Sequence, residues 1–237
     1  MNKKITWLWM TCLIMLTPLS GQAVTLLSQN FDDISTLSGN GWALTNNSSP
    51  VGSTGWFQGN TAIFNAEAGL ANAYIGANFD NATFGGSISN WLILPTLTLD
   101  GTTVLTFYTR TEAGSPAPDR LEIRLSTNGS SSDVGATATS VGDFTTLLLS
   151  INPTLTAGIY PEGWTQFTVP LAGIILLPTD GRLAFRYFVS DTSVNGNYIG
   201  IDSVEITSAV PEPSTIGLGV VGIMSVLGAC RYGRRKN

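Results

Sequence analysis

Apolar and polar residues alternate in short runs along most of the chain, and no segment between residues 24 and 210 shows helical periodicity. The clearest run, 119–126, places three apolar residues in alternation with Glu122 and Arg124, as in a strand with one buried and one solvated face. Clusters of Gly, Asn, Asp, Ser and Pro separate the runs, as turns do. Further strands are predicted at 91–99, 104–111, 145–151, 164–171, 183–190 and 198–207. Many strands with no helices between them predict an all-β fold, an antiparallel β-sandwich.

The last predicted strand changes phase along its length. Ile199 and Ile201 share one face, whereas Val204 falls in the opposite register. A β-bulge near Asp202 and Ser203 would reconcile the two halves, and bulges often re-aim side chains at functional sites. Burial of both faces of the strand is the alternative explanation.

Residues 1–23 have the pattern of a secretory signal peptide. Lys3 and Lys4 precede an apolar run from residue 5 to residue 16, and small residues before position 24 suit cleavage after Ala23. We therefore expect an N-terminal signal helix that is removed on export and a mature domain of residues 24–209.

The C-terminal residues 210–237 combine a short proline motif, one apolar run and a basic end. The motif Pro211-Glu212-Pro213 prevents helix formation, so a single transmembrane helix is predicted after it, at about 214–230. The apolar core of this helix spans about 22 Å, which is shorter than the ~30 Å hydrocarbon core of a bilayer.

Basic residues end the chain, from Arg231 to Lys236. Snorkelling of their side chains lengthens the effective span, and their charge favours the cytoplasmic side, which leaves the preceding domain outside the inner membrane. The whole array resembles the PEP-CTERM sorting tail of bacterial envelope proteins. That resemblance implies that an exosortase recognises Pro211, Glu212 and Pro213 and removes the helix, which leaves the protein at the envelope surface or in the extracellular matrix. An ordinary single-pass anchor is the alternative.

The mature domain is strongly acidic and contains no cysteine. Six of the eleven basic residues and both cysteines lie in the two terminal segments. The part between them has five arginines, no lysine and fifteen acidic residues, a net charge of −10. Such a domain is not expected to bind nucleic acid, whose phosphates require cationic partners. Cations or neutral polar ligands such as glycans suit it better.

The absence of cysteine and histidine from the mature domain removes whole classes of chemistry. Without cysteine there is no disulfide and no thiolate metal site. Without histidine, most zinc sites and the Ser-His-Asp and Cys-His nucleophile systems are excluded. Catalysis would then depend on carboxylates, as in glycosidases.

Several short sequence blocks follow one another in a characteristic order. They are Phe31-Asp32, Gly41-Trp42, the Trp-Leu-x-x-Pro pattern in 90–95, then 105–108, 119–123, 181–186 and the Ile-x-Ile-Asp-x-Val pattern in 199–204. Over nearly all of residues 26–207 this order resembles the choice-of-anchor J group, which is related to cleaved-adhesin and MAM-type jelly rolls. The resemblance implies a jelly-roll β-sandwich, and it implies a calcium site in which Asp32 lies near Asp202.

A second calcium site is suggested by spacing alone. The segment 191–196 places oxygen-bearing side chains at loop positions 1, 3 and 5, including Asp191 and Asn195, with Gly196 at position 6 and Asp202 at position 12. The alternative is a hairpin whose Asx turns use the same residues. Either calcium site is expected to be structural.

Aromatic residues are the remaining candidates for ligand contact. Trp91 and Trp164 are expected in the core, whereas Trp56, in a glycine-rich segment, is the best candidate for a surface ring that stacks on sugars. The sequence thus predicts a non-enzymatic, exported protein of adhesion or glycan binding, with exosortase and exopolysaccharide as partners. A carboxylate-dependent glycoside-processing enzyme and a purely structural matrix protein are the alternatives.

Overall fold

The computed structural model describes residues 22–209. The predicted signal helix, apart from its last two residues, and the predicted C-terminal helix and sorting motif lie outside this range. Within it, no helix is long and apolar enough to cross a membrane. Residues Ala23–Ala209 form one compact unit.

Strands account for nearly all the regular secondary structure of the described range, which also contains three short 3-10 helices. The strands are β1 (Ala23–Gln29), β2 (Ala43–Asn46), β3 (Ser49–Val51), β4 (Phe57–Gln58), β5 (Ile75–Asn78), β6 (Ala82–Ile93), β7 (Leu97–Leu99), β8 (Val104–Thr111), β9 (Leu121–Ser126), β10 (Thr146–Ile151), β11 (Thr165–Pro170), β12 (Thr179–Val189) and β13 (Tyr198–Ala209). The 3-10 helices are Ile34–Thr36, Ser38–Asn40 and Phe79–Asn81.

Two antiparallel sheets pack face to face. The first sheet has the order β11-β8-β13-β5-β4, with β1 also paired to β13. The second has the order β10-β9-β12-β6-β2, with β3 on β6 and β7 on β12. Phe107 of the first sheet meets Phe185 of the second edge to face, with ring centroids 4.9 Å apart. The predicted all-β antiparallel sandwich is confirmed.

Most predicted strands lie within a few residues of their predicted bounds. The strand predicted at 104–111 is β8, and the one predicted at 91–99 is divided between the end of β6 and β7. The phase change in the last strand is a bulge, because the register between β13 and β8 shifts between Asp202 and Glu205. Ser203 has a φ of 49°, which produces the kink.

The outer face of the second sheet is covered by residues 128–145, and this corrects the prediction of a solvated face on β9. Glu122 is buried, and the Arg124 guanidinium donates to the Phe144 carbonyl at 3.2 Å. Phe144 packs on Trp91 with ring centroids 5.6 Å apart. Charged residues on this face therefore indicate a polar contact with a covering loop rather than contact with water.

The outer face of the first sheet is covered in part by residues 59–74, here called the aromatic cover. Phe64 and Tyr74 of this cover are buried against Tyr198 of β13, with Trp164 partly buried beside them. Gly200 allows the rings to approach, because a Cβ there would lie 2.8 Å from the Phe64 ring and 2.9 Å from Trp164. The cover leaves one end of the sheet open.

Candidate binding cleft

A cleft of about 230 Å³ opens beside the aromatic cover, at the end of the first sheet where β13 begins. Its lining residues are Phe57, Asn60, Ile63, Asn78, Phe79, Glu112, Asn197 and Tyr198. Half of these are apolar or aromatic, the others are three amides and one carboxylate, and none of the eight is basic. Such a lining offers rings for packing and amide groups that both donate and accept hydrogen bonds.

The polar wall of the cleft is held by hydrogen bonds. Asn197 Nδ2 donates to Glu112 Oε2 at 2.7 Å. Asn78 Oδ1 accepts from Thr54 Oγ1 at 2.7 Å, and Asn78 Nδ2 donates to Asp80 Oδ2 at 3.1 Å. Each amide therefore has a fixed orientation before any ligand arrives, which lowers the entropy cost of binding.

The aromatic wall joins the aromatic cover to the cleft. The Tyr198 hydroxyl lies 3.0 Å from the Tyr74 hydroxyl and accepts from the Asn60 amide at 3.2 Å. Burial raises the pKa of Tyr198, so the phenol stays neutral at physiological pH. Phe79 is 47% exposed at the mouth, and its amide donates to the Asn197 carbonyl at 2.9 Å. An exposed ring on a fixed backbone is a ready stacking surface.

A buried carboxylate supports the floor of the cleft from behind. Asp119 accepts hydrogen bonds from Thr111 Oγ1 at 2.5 Å, from the Tyr187 hydroxyl at 2.6 Å and from the Asn197 amide at 2.7 Å. Burial raises the pKa of this carboxyl, while the three hydrogen bonds lower it. Asp119 thereby connects β8 and β12 to Asn197, the residue that directly precedes β13.

Trp56, predicted as a surface ring for sugar stacking, is only 7% exposed and belongs to the main core. The glycine-rich segment around it packs closely instead of projecting, because a side chain at Gly52 would collide with the backbone of Asp80 and Ala82. The indole Nε1 is buried, and within residues 22–209 it has no hydrogen-bond partner. Trp56 therefore does not present its ring to a ligand. Trp91 is fully buried, as predicted.

Trp164 is partly buried rather than wholly inside. Its Nε1 donates to the Asn65 carbonyl at 2.8 Å, and its ring meets Phe64 edge to face at 5.5 Å. The indole thus fastens the aromatic cover to β11.

Asp32 and Asp202 both lie against the loop 67–69. Asp202 Oδ2 accepts from the amides of Glu67 and Ala68 at 2.9 and 3.2 Å, and its Oδ1 accepts from the Ser203 amide at 2.6 Å. Asp32 Oδ1 lies 3.4 Å from the place a Cβ on Gly69 would take. The described range contains no group of three acidic side chains arranged for a metal. As arranged, Asp202 anchors this loop, and its carboxylate oxygens accept hydrogen bonds from backbone amides.

Asp191 and Asn195 form a turn, as the alternative interpretation of their segment expects. Asp191 Oδ1 accepts from the amide and the hydroxyl of Ser193 at 2.8 and 2.6 Å, and the Asn195 amide donates to the Asp191 carbonyl at 3.0 Å. Asp202, the proposed twelfth ligand, lies within a paired strand and is bonded elsewhere. These residues are not brought together around one ion.

The titration of Asp202 gives a pH-dependent prediction. Burial raises the pKa of Asp202 to about 6, so the native state holds a proton that the unfolded state loses near pH 4. This contribution to stability is present below about pH 4 and is lost as pH rises through about 6. We expect the free energy of unfolding of the wild type to fall between these values relative to Asp202→Asn, measured by urea denaturation in chelator. The free energy of unfolding of the wild type should instead rise with pH relative to Asp191→Asn, because hydrogen bonds from Ser193 lower the pKa of Asp191.

Sequence patterns did not identify the cleft, because its residues come from separate segments and most are ordinary turn formers. Asn78 ends β5, Asn197 directly precedes β13 and Asn60 lies two residues after β4, and asparagine is expected at such strand ends and turns for local reasons. The one available signal is Phe79, an aromatic residue inside a polar Asn-Phe-Asp-Asn turn. A large apolar side chain in such a turn is either a core anchor or a contact surface.

Solved structures of cleaved adhesin domains share this fold. No protein-family model and no curated protein matches the sequence. The K1 cleaved adhesin domain of Lys-gingipain from Porphyromonas gingivalis is 24% identical, with a TM-score of 0.52 over 80% of this chain and 100% of that one. The K2 domain of Lys-gingipain is 18% identical, with a TM-score of 0.51 over 78% and 99%. A xylan-binding domain from Paenibacillus barcinonensis is 15% identical, with a TM-score of 0.41 over 81% and 99%. The chain therefore has the jelly-roll architecture of the cleaved adhesin domains.

Proposed function

We propose that this protein is an exported, surface-displayed binding domain that recognises neutral glycans in the cleft between the aromatic cover and Phe79. The observation that carries the proposal is the lining itself, in which an exposed ring stands beside three amides and one carboxylate. Aromatic rings pack on the apolar faces of sugars, and amide and carboxylate groups pair with hydroxyls.

Charge supports neutral rather than acidic glycans. Each of the five arginines of the domain donates to a backbone carbonyl of the same domain. The pairs are Arg110 with Glu162, Arg120 with Phe188, Arg124 with Phe144, Arg182 with Leu94 and Arg186 with Ala138. The cations are thus used internally, and the remaining surface is acidic. A polyanionic glycan would be repelled, so neutral glycans are expected to give the signals on an array.

Replacing Phe79 by alanine is expected to weaken binding of the best array ligand about tenfold, or ~1.4 kcal/mol, because a stacking ring is lost. The measurement is calorimetric titration of residues 22–209. Phe84→Ala is the matched control, since Phe84 is 86% exposed but does not line the cleft. Equal affinities for the two variants would place the ligand elsewhere.

Binding rather than catalysis is proposed because the cleft lining carries one carboxylate, Glu112. Glycoside hydrolysis uses a pair of carboxyl groups on opposite sides of the scissile bond. Release of reducing sugar from the bound glycan, abolished in Glu112→Gln, would instead support the glycoside-processing alternative. A domain with no array ligand at all would support a structural matrix role.

The sorting route is proposed from the tail. The motif at Pro211, Glu212 and Pro213, the apolar run and the basic end support recognition by an exosortase, with the inner membrane as a transient site and the envelope surface or matrix as the destination. Mass spectrometry of the mature C-terminus in the native cell tests this. A chain that still ends at Asn237 would leave an ordinary anchor.

Calcium is proposed only as a structural ion near Asp32 and Asp202, on the strength of the sequence resemblance. Bound calcium at one hundred times its Kd would stabilise the domain by about 2.7 kcal/mol. The melting midpoint would then rise in calcium relative to chelator, and Asp32→Asn would abolish the rise. Equal midpoints would leave Asp202 as a carboxylate held by amides alone.

A further inference from the structure

An exposed apolar tip lies in the loop between β11 and β12. Leu176 and Leu177 are 83% and 75% exposed, and Ile174 is 43% exposed. Single exposed apolar residues are common, but three within four positions form a patch that calls for a partner. We call Ile174, Leu176 and Leu177 the apolar tip.

The apolar tip is held rather than loose. Ile175, between its members, is buried in the main core. The amides of Ile174 and Ile175 donate to the Leu171 carbonyl at 3.0 and 3.1 Å. The loop is therefore fixed by its centre, and its three exposed side chains are kept in water by the fold.

The turn 100–103 places the apolar tip beside the end of the domain's last strand. On one side of the turn, the Leu171 amide donates to the Thr103 carbonyl at 2.9 Å. On the other side, the Ala209 amide donates to Thr102 Oγ1 at 3.0 Å. Ala23, at the start of β1, pairs with Ala209. The apolar tip, the first strand residue and the last strand residue thus share one end of the sandwich.

The length of chain beyond Ala209 limits how far this end can be from a membrane. The apolar run begins at residue 214, and five extended residues reach at most about 18 Å. A helix that is held in the bilayer therefore keeps this end within about 18 Å of the lipid surface. The same end carries Asp100 and Asp180, so the contact depends on apolar insertion and not on attraction to anionic lipid.

We infer that the apolar tip inserts into the interface of the bilayer that holds the C-terminal helix before sorting, as a second anchor that fixes the orientation of the domain. The inference rests on the proposed membrane helix. A spanning helix already retains the protein at the membrane, so the apolar tip contributes orientation rather than retention. The cleft lies at the opposite end of β13, about 35 Å away along the strand, so this orientation directs it outward.

The test uses the mature full chain, residues 24–237, with Cys230 changed to serine, reconstituted in phosphatidylcholine vesicles. An environment-sensitive fluorophore is attached through Leu176→Cys or, as the matched control, through Phe84→Cys. Phe84 is equally exposed, but it lies by the loop that precedes β13, since Thr192 bonds to Thr83 and Gly86. Nitroxide-labelled lipids report the depth of each fluorophore.

We expect the fluorophore at residue 176 to lie about 5–10 Å below the phosphates, with blue-shifted emission, and the fluorophore at residue 84 to remain in water. Leu177→Glu added to the first chain should return its emission to that of water. Vesicle flotation measures the helix separately. A chain that floats with both fluorophores in water, or both quenched, overturns the inference and leaves the helix in place. A chain that does not float overturns both.

Discussion

Replacing Asp119 by alanine is expected to lower the free energy of unfolding by roughly 3–5 kcal/mol. The carboxylate accepts hydrogen bonds from Thr111 Oγ1, the Tyr187 hydroxyl and the Asn197 amide, all in a site closed to water. Truncation leaves the Tyr187 hydroxyl and the Asn197 backbone amide without an acceptor, and each buried unsatisfied group costs about 1–3 kcal/mol. Thr111 Oγ1 can still donate to the Tyr198 carbonyl, 2.9 Å away. Partial relaxation around the cavity keeps the total below the sum. Urea denaturation followed by tryptophan fluorescence measures the change.

Asp191→Ala is the control for Asp119→Ala, because it also removes a carboxylate that accepts hydrogen bonds, but from an exposed turn. The Asp191 carboxylate bonds only to the amide and hydroxyl of Ser193, so its loss is expected to cost much less than the loss of Asp119. Equal costs for the two variants would mean that water replaces Asp119 in its site. Asp119→Ala should also weaken glycan binding. The Asn197 backbone amide would lose its acceptor, and the Asn197 side chain would then no longer be held beside Glu112.

The sandwich could be predicted from the sequence because its strands follow local rules. Alternation over 119–126 predicted β9, and the change of phase after Ile201 predicted either a bulge near Asp202 or burial of both faces, of which the bulge is seen. Both signals lie within one strand and its immediate sequence. Local patterns of this kind determine where strands occur and which face meets the core.

The covers and the cleft could not be predicted, because they depend on contacts between distant segments. Arg124 and Glu122 have the pattern of a solvated face, but residues 128–145 cover that face, so that Glu122 is buried and Arg124 is partly buried. The glycines around Trp56 suggest an exposed loop, whereas Gly52 in fact permits close packing against Asp80. Glycine is common both in exposed loops and where two backbone segments approach closely, so its presence does not distinguish the two. The outcome is decided by the tertiary fold.

Replacing Arg186 by methionine is expected to lower the free energy of unfolding by about 3–5 kcal/mol, because it removes a partner of the buried Glu122 carboxylate. Arg186 is almost fully buried, with Nη1 3.2 Å from Glu122 Oε2 and Nε donating to Ser89 Oγ at 3.0 Å. Burial lowers the pKa of Arg186 to about 10, so it stays charged at neutral pH. Without it, Glu122 keeps only Arg124, whose Nε lies 2.8 Å from the same oxygen. Urea denaturation at pH 7 measures the loss, and Arg120→Met, which removes donors to backbone carbonyls alone, should cost less.

The double variant Arg186→Met with Glu122→Met separates the two causes of that loss. If the stranded charge dominates, the double variant is more stable than Arg186→Met, because replacing a whole buried ion pair by apolar groups is often neutral or stabilising. If the costs of the two single substitutions simply add, the two residues are not energetically coupled. The guanidinium then stabilises the fold through its packing on Trp91, 4.9 Å away, and through its bond to the Ala138 carbonyl. Proteolysis gives an independent measure. Since Ala138 belongs to the segment that covers the second sheet, losing its bond to Arg186 should speed cleavage within residues 128–145 in both variants.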